Sequence, residues 1–548
     1  MDQEKLTMIQ RMMNLENINS SEMDRRSFLL ATGKVAALSV GLTIAGALQG
    51  PAVVGAQAQP LFNNNPFTLG VASGDPLPDG VVLWTRLAPD PLNGGGMPDY
   101  DVPVKWEVAT DKEFRDVVQH GIEFARHQLA HSVHVEVEGL EPNQVYYYRF
   151  KVGSEISQVG RTKTLPPYGT DVAKMTFAFA SCQSYEEGYY TAYKRMAEED
   201  LDLVFHLGDY IYEYGPATGR PRIHNSPEIV TLEDYRNRYA LYKSDVDLRA
   251  AHAAFPWVVA MDDHEVENNH AGPIPEKNQP LEPFILRRAA AYQAYYEHMP
   301  LRRTSFPNGT SMQLYRRLTF GNLAQFNVLD TRQYRDDQAN GDGAKAPNAE
   351  SMDPKRTLIG EEQERWLLEG LGNSTAKWNV IPQQVFFAKR DFQSGDGELL
   401  SMDAWDGYSA NRDRIINYIT EHGVRNVVVL TGDVHANWAN EIKADFADPN
   451  SPVIGVEFAG TSITSGGDGA DTTSNTEKYL AENPHIKFHN TQRGYVRCTL
   501  TPDHFQADYR VLPYVSRPGA PISTRASFLV EDGKPGLQKT YDALVATT

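Results

Sequence analysis

From Asn65 to Pro166 the chain is written in short runs of alternating apolar and polar positions. Gly80-Val81-Val82-Leu83-Trp84-Thr85-Arg86-Leu87, Val102-Pro103-Val104-Lys105-Trp106-Glu107-Val108 and Val133-His134-Val135-Glu136-Val137 carry the two-residue period or the β-former enrichment of half-buried strands. This pattern predicts an antiparallel β-sandwich over residues 62–167. Its groups offer no catalytic cluster, so a structural or substrate-shaping part is expected.

The turn-and-strand segment from Leu140 to Phe150 resembles the matching corner of immunoglobulin- and fibronectin type III-like modules. After Pro166-Pro167 the texture changes. Thr176 to Ala180, Leu203 to Leu207, Trp257 to Ala260, Ala324 to Leu329, Trp378 to Ile381 and Asn426 to Leu430 are brief continuous apolar runs, as in strands buried on both faces. Helical periodicity lies between them, at Glu187 to Glu199, Phe284 to Glu297, Glu361 to Leu371 and Asn411 to Glu421. Further strands are expected at Val453 to Phe458, Tyr495 to Leu500 and His504 to Tyr509. The reading is an α/β catalytic domain over 172–520, followed by a C-terminal tail or helix at 521–548.

A chain of 548 residues with 41% hydrophobic content can bury more than one core, and its formal net charge of -19 argues against nucleic acid as an electrostatic partner. The N-terminus adds an address. Arg25-Arg26-Ser27-Phe28-Leu29 precedes a weakly apolar stretch from Val35 to Leu48, and Ala56-Gln57-Ala58 offers a small-x-small cleavage site. Residues 1–58 therefore read as a cleavable twin-arginine export signal, with the twin-arginine translocation machinery as partner, no stable membrane anchor, and a periplasmic or extracellular destination. The only two cysteines, Cys182 and Cys498, are able in principle to pair in such a compartment.

The chemistry-bearing residues follow the ends of four predicted strands. Ser181-Cys182-Gln183 follows the first apolar run, Gly208-Asp209-Tyr210-Ile211-Tyr212 the second, Asp262-Asp263-His264-Glu265 the third and Gly432-Asp433-Val434-His435 the last one named above. In open α/β sheets ligands bind outside the carboxyl ends of strands, so these turns are placed to converge. Singly each has an ordinary explanation: a cap for Asp209, a core ring for Tyr212, a turn residue for Asp263, a satisfied imidazole for His435.

Gly208 to Tyr212 as Gly-Asp-x-x-Tyr, Asp262-Asp263-His264-Glu265 in place of Gly-Asn-His-Glu, and Gly432 to His435 in place of Gly-His-x-His resemble the calcineurin-like metallophosphoesterases, and among them the PhoD-type alkaline phosphatase family. The resemblance implies a two-sheet sandwich flanked by helices and a pair of metal ions. Cys182, Asp209, Tyr212 and His435 would bind ferric iron, with Asp209 bridging to a calcium ion held by Asp263 and Asp433. Thiolate, phenolate and carboxylate suit a trivalent ion, and a carboxylate-rich site suits calcium. A further ligand position falls near Gln383-Gln384, with Gln384 a candidate for metal or substrate, as is Asn268, where an additional calcium is conceivable. A metal-bound Cys182 rules out a disulfide to Cys498. Asp262 is read as a supporting carboxylate.

The implied reaction is hydrolysis of external phosphate monoesters by two-metal-activated hydroxide attack, with His264 protonating the leaving alkoxide. A phosphodiesterase or phospholipase D-like hydrolase of the same fold is the alternative, and a catalytically inactive exported binding protein the outside one. Of the remaining features, Tyr292, Tyr295 and Tyr296 read as helix core, Arg287-Arg288 as a solvated helix face, and Met402 to Tyr408 as a segment able to line the cleft.

Overall fold

The computed structural model describes residues 62, 64–276 and 279–543. The export-signal reading therefore lies outside the described residues. Within residues 64–548 the strands assemble into two large sheets that pack face to face. The first has ten strands, in the order Lys534–Asp542, Ser523–Glu531, His504–Val511, Gly494–Leu500, Met175–Ala180, Leu203–His206, Pro256–Val259, Val71–Leu77, Gly80–Arg86 and Ser132–Glu138. The second has seven, Arg316–Phe320, Ala324–Val328, Trp378–Pro382, Val427–Thr431, Val453–Ala459, Asn437–Lys443 and Ile486–Asn490.

Phe177, Phe205, Phe326, Phe458 and Phe505 fill the space between the sheets, and Phe177 meets Phe205 and Phe326 edge-on at 5.4 and 5.5 Å. Each ring buried this way stabilises by roughly 1.5–3 kcal/mol. Helices Thr191–Ala197, Leu232–Lys243, Val246–Ala254 and Leu281–His298 supply a second core with the ten-stranded sheet, whereas Gly360–Gly372 and Ser409–Glu421 supply one with the other sheet. The order of layers is thus helix, sheet, sheet, helix, as expected. Tyr292, Tyr295 and Tyr296 are core residues.

The strands of residues 62–167 fall into two sheets, as a sandwich requires, and one of these continues into the catalytic sheet: Val71–Leu77 runs parallel to Pro256–Val259, with Ser73 opposite Pro256, so three of its strands extend that sheet. The others form a five-stranded sheet with Val102–Ala109 at its heart. Two expectations are corrected, those for the C-terminal segment and for Arg287-Arg288. The C-terminal segment is no tail or helix but a hairpin, Ser523–Glu531 with Lys534–Asp542. Ala526, Phe528 and Val530 alternate inward at the period of a strand, and Asp532-Gly533 with Gly533 at φ 71° is a two-residue turn between paired Glu531 and Lys534. Finally, Arg287 and Arg288 are buried, because Arg287 donates to Glu267 at 2.7 Å and to the Tyr235 hydroxyl at 3.0 Å, while Arg288 donates to the Tyr292 hydroxyl.

Candidate metal centre

Parallel register brings the strand ends together. Met175–Ala180, Leu203–His206 and Pro256–Val259 are adjacent, Phe179 opposite Phe205 and Phe205 opposite Val258, so residues 182, 209 and 263 leave one edge of the same sheet. The pairing continues past the strands: Cys182 N–H donates to Gly208 O at 3.1 Å and Gln183 N–H to Asp209 O at 3.0 Å. Val427–Thr431 delivers Asp433 and His435 from the facing sheet. There Gly432 lies so close to Ser181 that a Cβ would stand 2.9 Å from its side chain. At Gly208 a Cβ would meet Asp262 at 2.4 Å, which only glycine avoids.

Four of the six expected metal ligands, Cys182, Asp209, Asp433 and His435, have φ between 51° and 60°. Non-glycine residues in the left-handed region cost about 1–3 kcal/mol each, and such strain gathers where the fold over-determines a functional geometry.

Two clusters result. Cys182, Asp209 and His435 place ligand atoms within 4.8 Å of one another, and so do Asp209, Asp263 and His264, with Asp209 common to both. The Tyr212 hydroxyl joins the first, donating to Asp209 Oδ2 at 3.0 Å with His435 Nε2 at 3.2 Å, and it accepts from Ser465 Oγ at 2.7 Å. Asp433 stands apart from both tight clusters, its Oδ1 3.6 Å from Arg332 Nη2. Both cysteine thiols are free and buried, so there is no disulfide.

Burial sets the protonation. It pushes the Cys182 thiol and the Tyr212 phenol well above their usual ranges, with nearby Asp209 adding to both. It also raises the Asp209 carboxyl, and raises Asp433 to about 6. Asp263 goes the other way: burial would raise it, but Arg332 and His264 hold it well below the carboxylate range. Burial and Arg493 lower His435 to about 3, leaving a neutral ring fit to ligate. Burial opposes the imidazolium of His264, yet Glu213, Asp263 and Asp209 together keep it protonated well above its ordinary value.

The donors fit a pair of cations. A thiol, a phenol and a carboxyl with raised pKa values are groups from which a cation displaces protons, and Asp209 Oδ1 is buried with no hydrogen-bond partner.

Several functional side chains escape a reading of motifs alone. The Glu265 carboxylate accepts the backbone N–H groups of Asp209 at 3.1 Å, Tyr210 at 2.5 Å and Asp262 at 2.9 Å, and so clamps two of the turns together. Glu265→Gln puts an amide donor against those N–H groups, and should lower stability by about 2–3 kcal/mol, measured as a shift in the urea midpoint. Glu213 holds His264 Nδ1 at 2.7 Å and accepts from the Asn268 backbone at 2.8 Å. Arg332 donates to Asp262 Oδ1 at 2.5 Å and to Asp403 Oδ1 at 2.8 Å, which brings the Met402 to Tyr408 segment to the centre as the sequence suggested. Its signal was present: Asp330-Thr331-Arg332 follows the strand Ala324–Val328, one more strand end.

Gln384 does not present its amide to the clusters. Its Oε1 accepts from Thr331 N–H and Oγ at 3.0 and 2.7 Å, and its Nε2 donates to Leu329 O. Gln383 is likewise held, by Val385 O, Thr431 Oγ1 and the Trp405 indole. Asn268 lies at the rim, with Nδ2 donating to Glu276 at 2.6 Å.

The sequence family model of the PhoD-like phosphatases matches residues 177–509, and that of their N-terminal domain matches 54–166. The chain belongs to the PhoD-like phosphatases. Alkaline phosphatase D of Bacillus subtilis (strain 168) is 64% identical over 535 residues, 97% of this chain and 91% of that protein. A solved structure of PhoD superposes with a TM-score of 0.87 at 65% identity, covering 89% of this chain and 94% of its own. This PhoD-like phosphatase is a metal-dependent hydrolase of phosphoric esters, built from the layered fold described above.

Proposed function

We propose that this PhoD-like phosphatase is an exported alkaline phosphatase that releases phosphate from monoesters at a centre of one ferric and one calcium ion. Cys182, Asp209, Tyr212 and His435 would hold the first ion, and Asp209, Asp263 and Asp433 the second. The observation that carries the reading is Asp209, whose carboxylate belongs to both clusters. When bound, the two cations supply Lewis acidity toward water and toward the phosphoryl oxygens.

The chain's own groups do the rest. His264 stacks on Tyr212 with ring centroids 4.2 Å apart, and Glu213 fixes its Nδ1. The proton available to a departing alkoxide is therefore the one on Nε2, and the Glu213 carboxylate at Nδ1 favours the imidazolium that carries it. Arg332 and Glu265 hold the strand-end turns in the geometry that the reaction needs. Asn268 at the rim is the candidate contact for the alcohol side of the substrate.

Metal analysis of the purified mature protein, with a monoester assayed beside a diester, tests the function. Monoester hydrolysis should disappear on removing calcium with a chelator and return when calcium is restored. Release of phosphate from neither substrate with both metals bound would leave an exported binding protein. A visible charge-transfer band from thiolate or phenolate to iron should shift or vanish in Cys182→Ser and Tyr212→Phe, and a colourless protein with a full equivalent of ferric ion would contradict the ligand assignment. Export through the twin-arginine route predicts a mature N-terminus at Gln59, read by mass spectrometry of protein recovered outside the cytoplasm.

A further inference from the structure

Arg332 is fully buried and sits among four carboxylates. Besides Asp262 and Asp403, its guanidinium faces Asp433 Oδ1 at 3.6 Å and Asp263 Oδ1 at 3.8 Å through Nη2, which is buried and makes no hydrogen bond. A second guanidinium, Arg335, shares Asp403 at 2.7 Å. Four carboxylates against two buried guanidiniums leave two negative charges, with Asp433 on the side open to solvent. The first cluster has a different balance. Cys182, Asp209 and Tyr212 become three anions once deprotonated, and His435 stays neutral.

We propose that Arg332 is a positioning residue that fixes the charge of the second cation site, so that Asp263 and Asp433 accept a hard divalent ion and discriminate against a trivalent one. This rests on the two-cation reading above and goes beyond it by assigning the discrimination to a residue that is not a ligand. Two physical effects act together. The fork of Arg332 holds Asp262 and Asp403 in place through Nε and Nη1, which fixes the guanidinium plane. Its third nitrogen then presents a fixed positive charge toward the two carboxylates, where each added unit of charge on an incoming ion is opposed at short range and low dielectric. A lysine retains the charge but not the fork, whereas a methionine retains the bulk and loses the charge.

The test uses iron-loaded protein from which calcium has been removed, titrated with calcium by calorimetry and with terbium by luminescence sensitised by nearby tyrosines. For Arg332→Met, the ratio of terbium to calcium affinity should rise at least about tenfold over wild type. For Arg332→Lys the ratio should stay within about threefold. Asp403→Asn removes one negative charge without touching Asp263 or Asp433, and calcium affinity should fall at least about tenfold. It decides the matter if Arg332→Met fails to fold. A folded Arg332→Met protein with an unchanged ratio, or an Asp403→Asn protein with unchanged calcium affinity, overturns the proposal. Wild-type protein that binds neither ion would instead overturn the two-cation reading itself.

Discussion

Asp209→Asn is expected to reduce phosphate release by about a thousandfold or more while making the chelated protein harder to unfold. The loss follows from its place in both ligand clusters: an amide cannot bridge two cations as a carboxylate does, and losing about 4 kcal/mol of transition-state stabilisation is a thousandfold in rate. The gain in stability has an independent origin. Burial raises the Asp209 carboxyl well above its ordinary value, with Asp263, Asp262 and Glu265 adding repulsion. The sign is fixed by that direction: a carboxyl raised in the folded state is best tolerated when protonated, and the folded protein loses stability as pH climbs through the raised value. Asparagine carries no such cost. Melting curves at neutral pH should therefore rank the variant above wild type with chelator present and below it with metals added. The same ranking under both conditions would sink the account.

The second large effect is acid lability. His134, His206 and His270 lie deep in the fold, and burial lowers His134 to about 4, and His206 and His270 to about 3. His134 donates through Nε2 to the carbonyls of Tyr296 and Met299, both at 2.9 Å, and so ties the edge strand Ser132–Glu138 to the end of helix Leu281–His298 as a neutral ring. For a base whose folded pKa is depressed, the stabilisation is complete above the unfolded value of about 6.5 and drains away as pH falls toward the folded one. Each such ring costs about 1.4 kcal/mol per pH unit, so three cost roughly 6 kcal/mol by about pH 5, comparable to the whole stability of many domains. Urea midpoints should fall steeply between about pH 6.5 and 5, and His134→Gln should make that slope shallower. A midpoint independent of pH across this interval would show that the rings are not buried as neutral species.

Much of this molecule was legible in its residues, for a physical reason. Strands covered on both faces must be apolar throughout, so Thr176 to Ala180 and Asn426 to Leu430 stand out, and whatever follows such a strand in a parallel sheet arrives at one edge. That is why Cys182, Asp209, Asp263 and His435 could be grouped before any coordinates. The supporting residues were harder. Glu213 and Arg332 act on turns that are 51 and 70 positions away in the chain, and no local pattern marks a carboxylate as the partner of a distant imidazole. Gln384 looked available because the family resemblance puts a ligand position there, but the Thr331 backbone uses its oxygen. Arg287 looked solvated because charge usually is, yet Glu267 and Tyr235 wait for it inside. The C-terminal hairpin does carry its mark, since Asp-Gly between alternating residues is a strong turn signal.

The strands that carry Cys182, Asp209 and Asp263 lie in the middle of the ten-stranded sheet, with residues 71–86 and 132–138 beyond one side and residues 494–542 beyond the other. Synthesis runs from the N-terminus, so residues 494–542 join the sheet only after every strand that carries the centre has been made. That border is therefore the part of the sheet completed last, after the strands whose ends carry the centre.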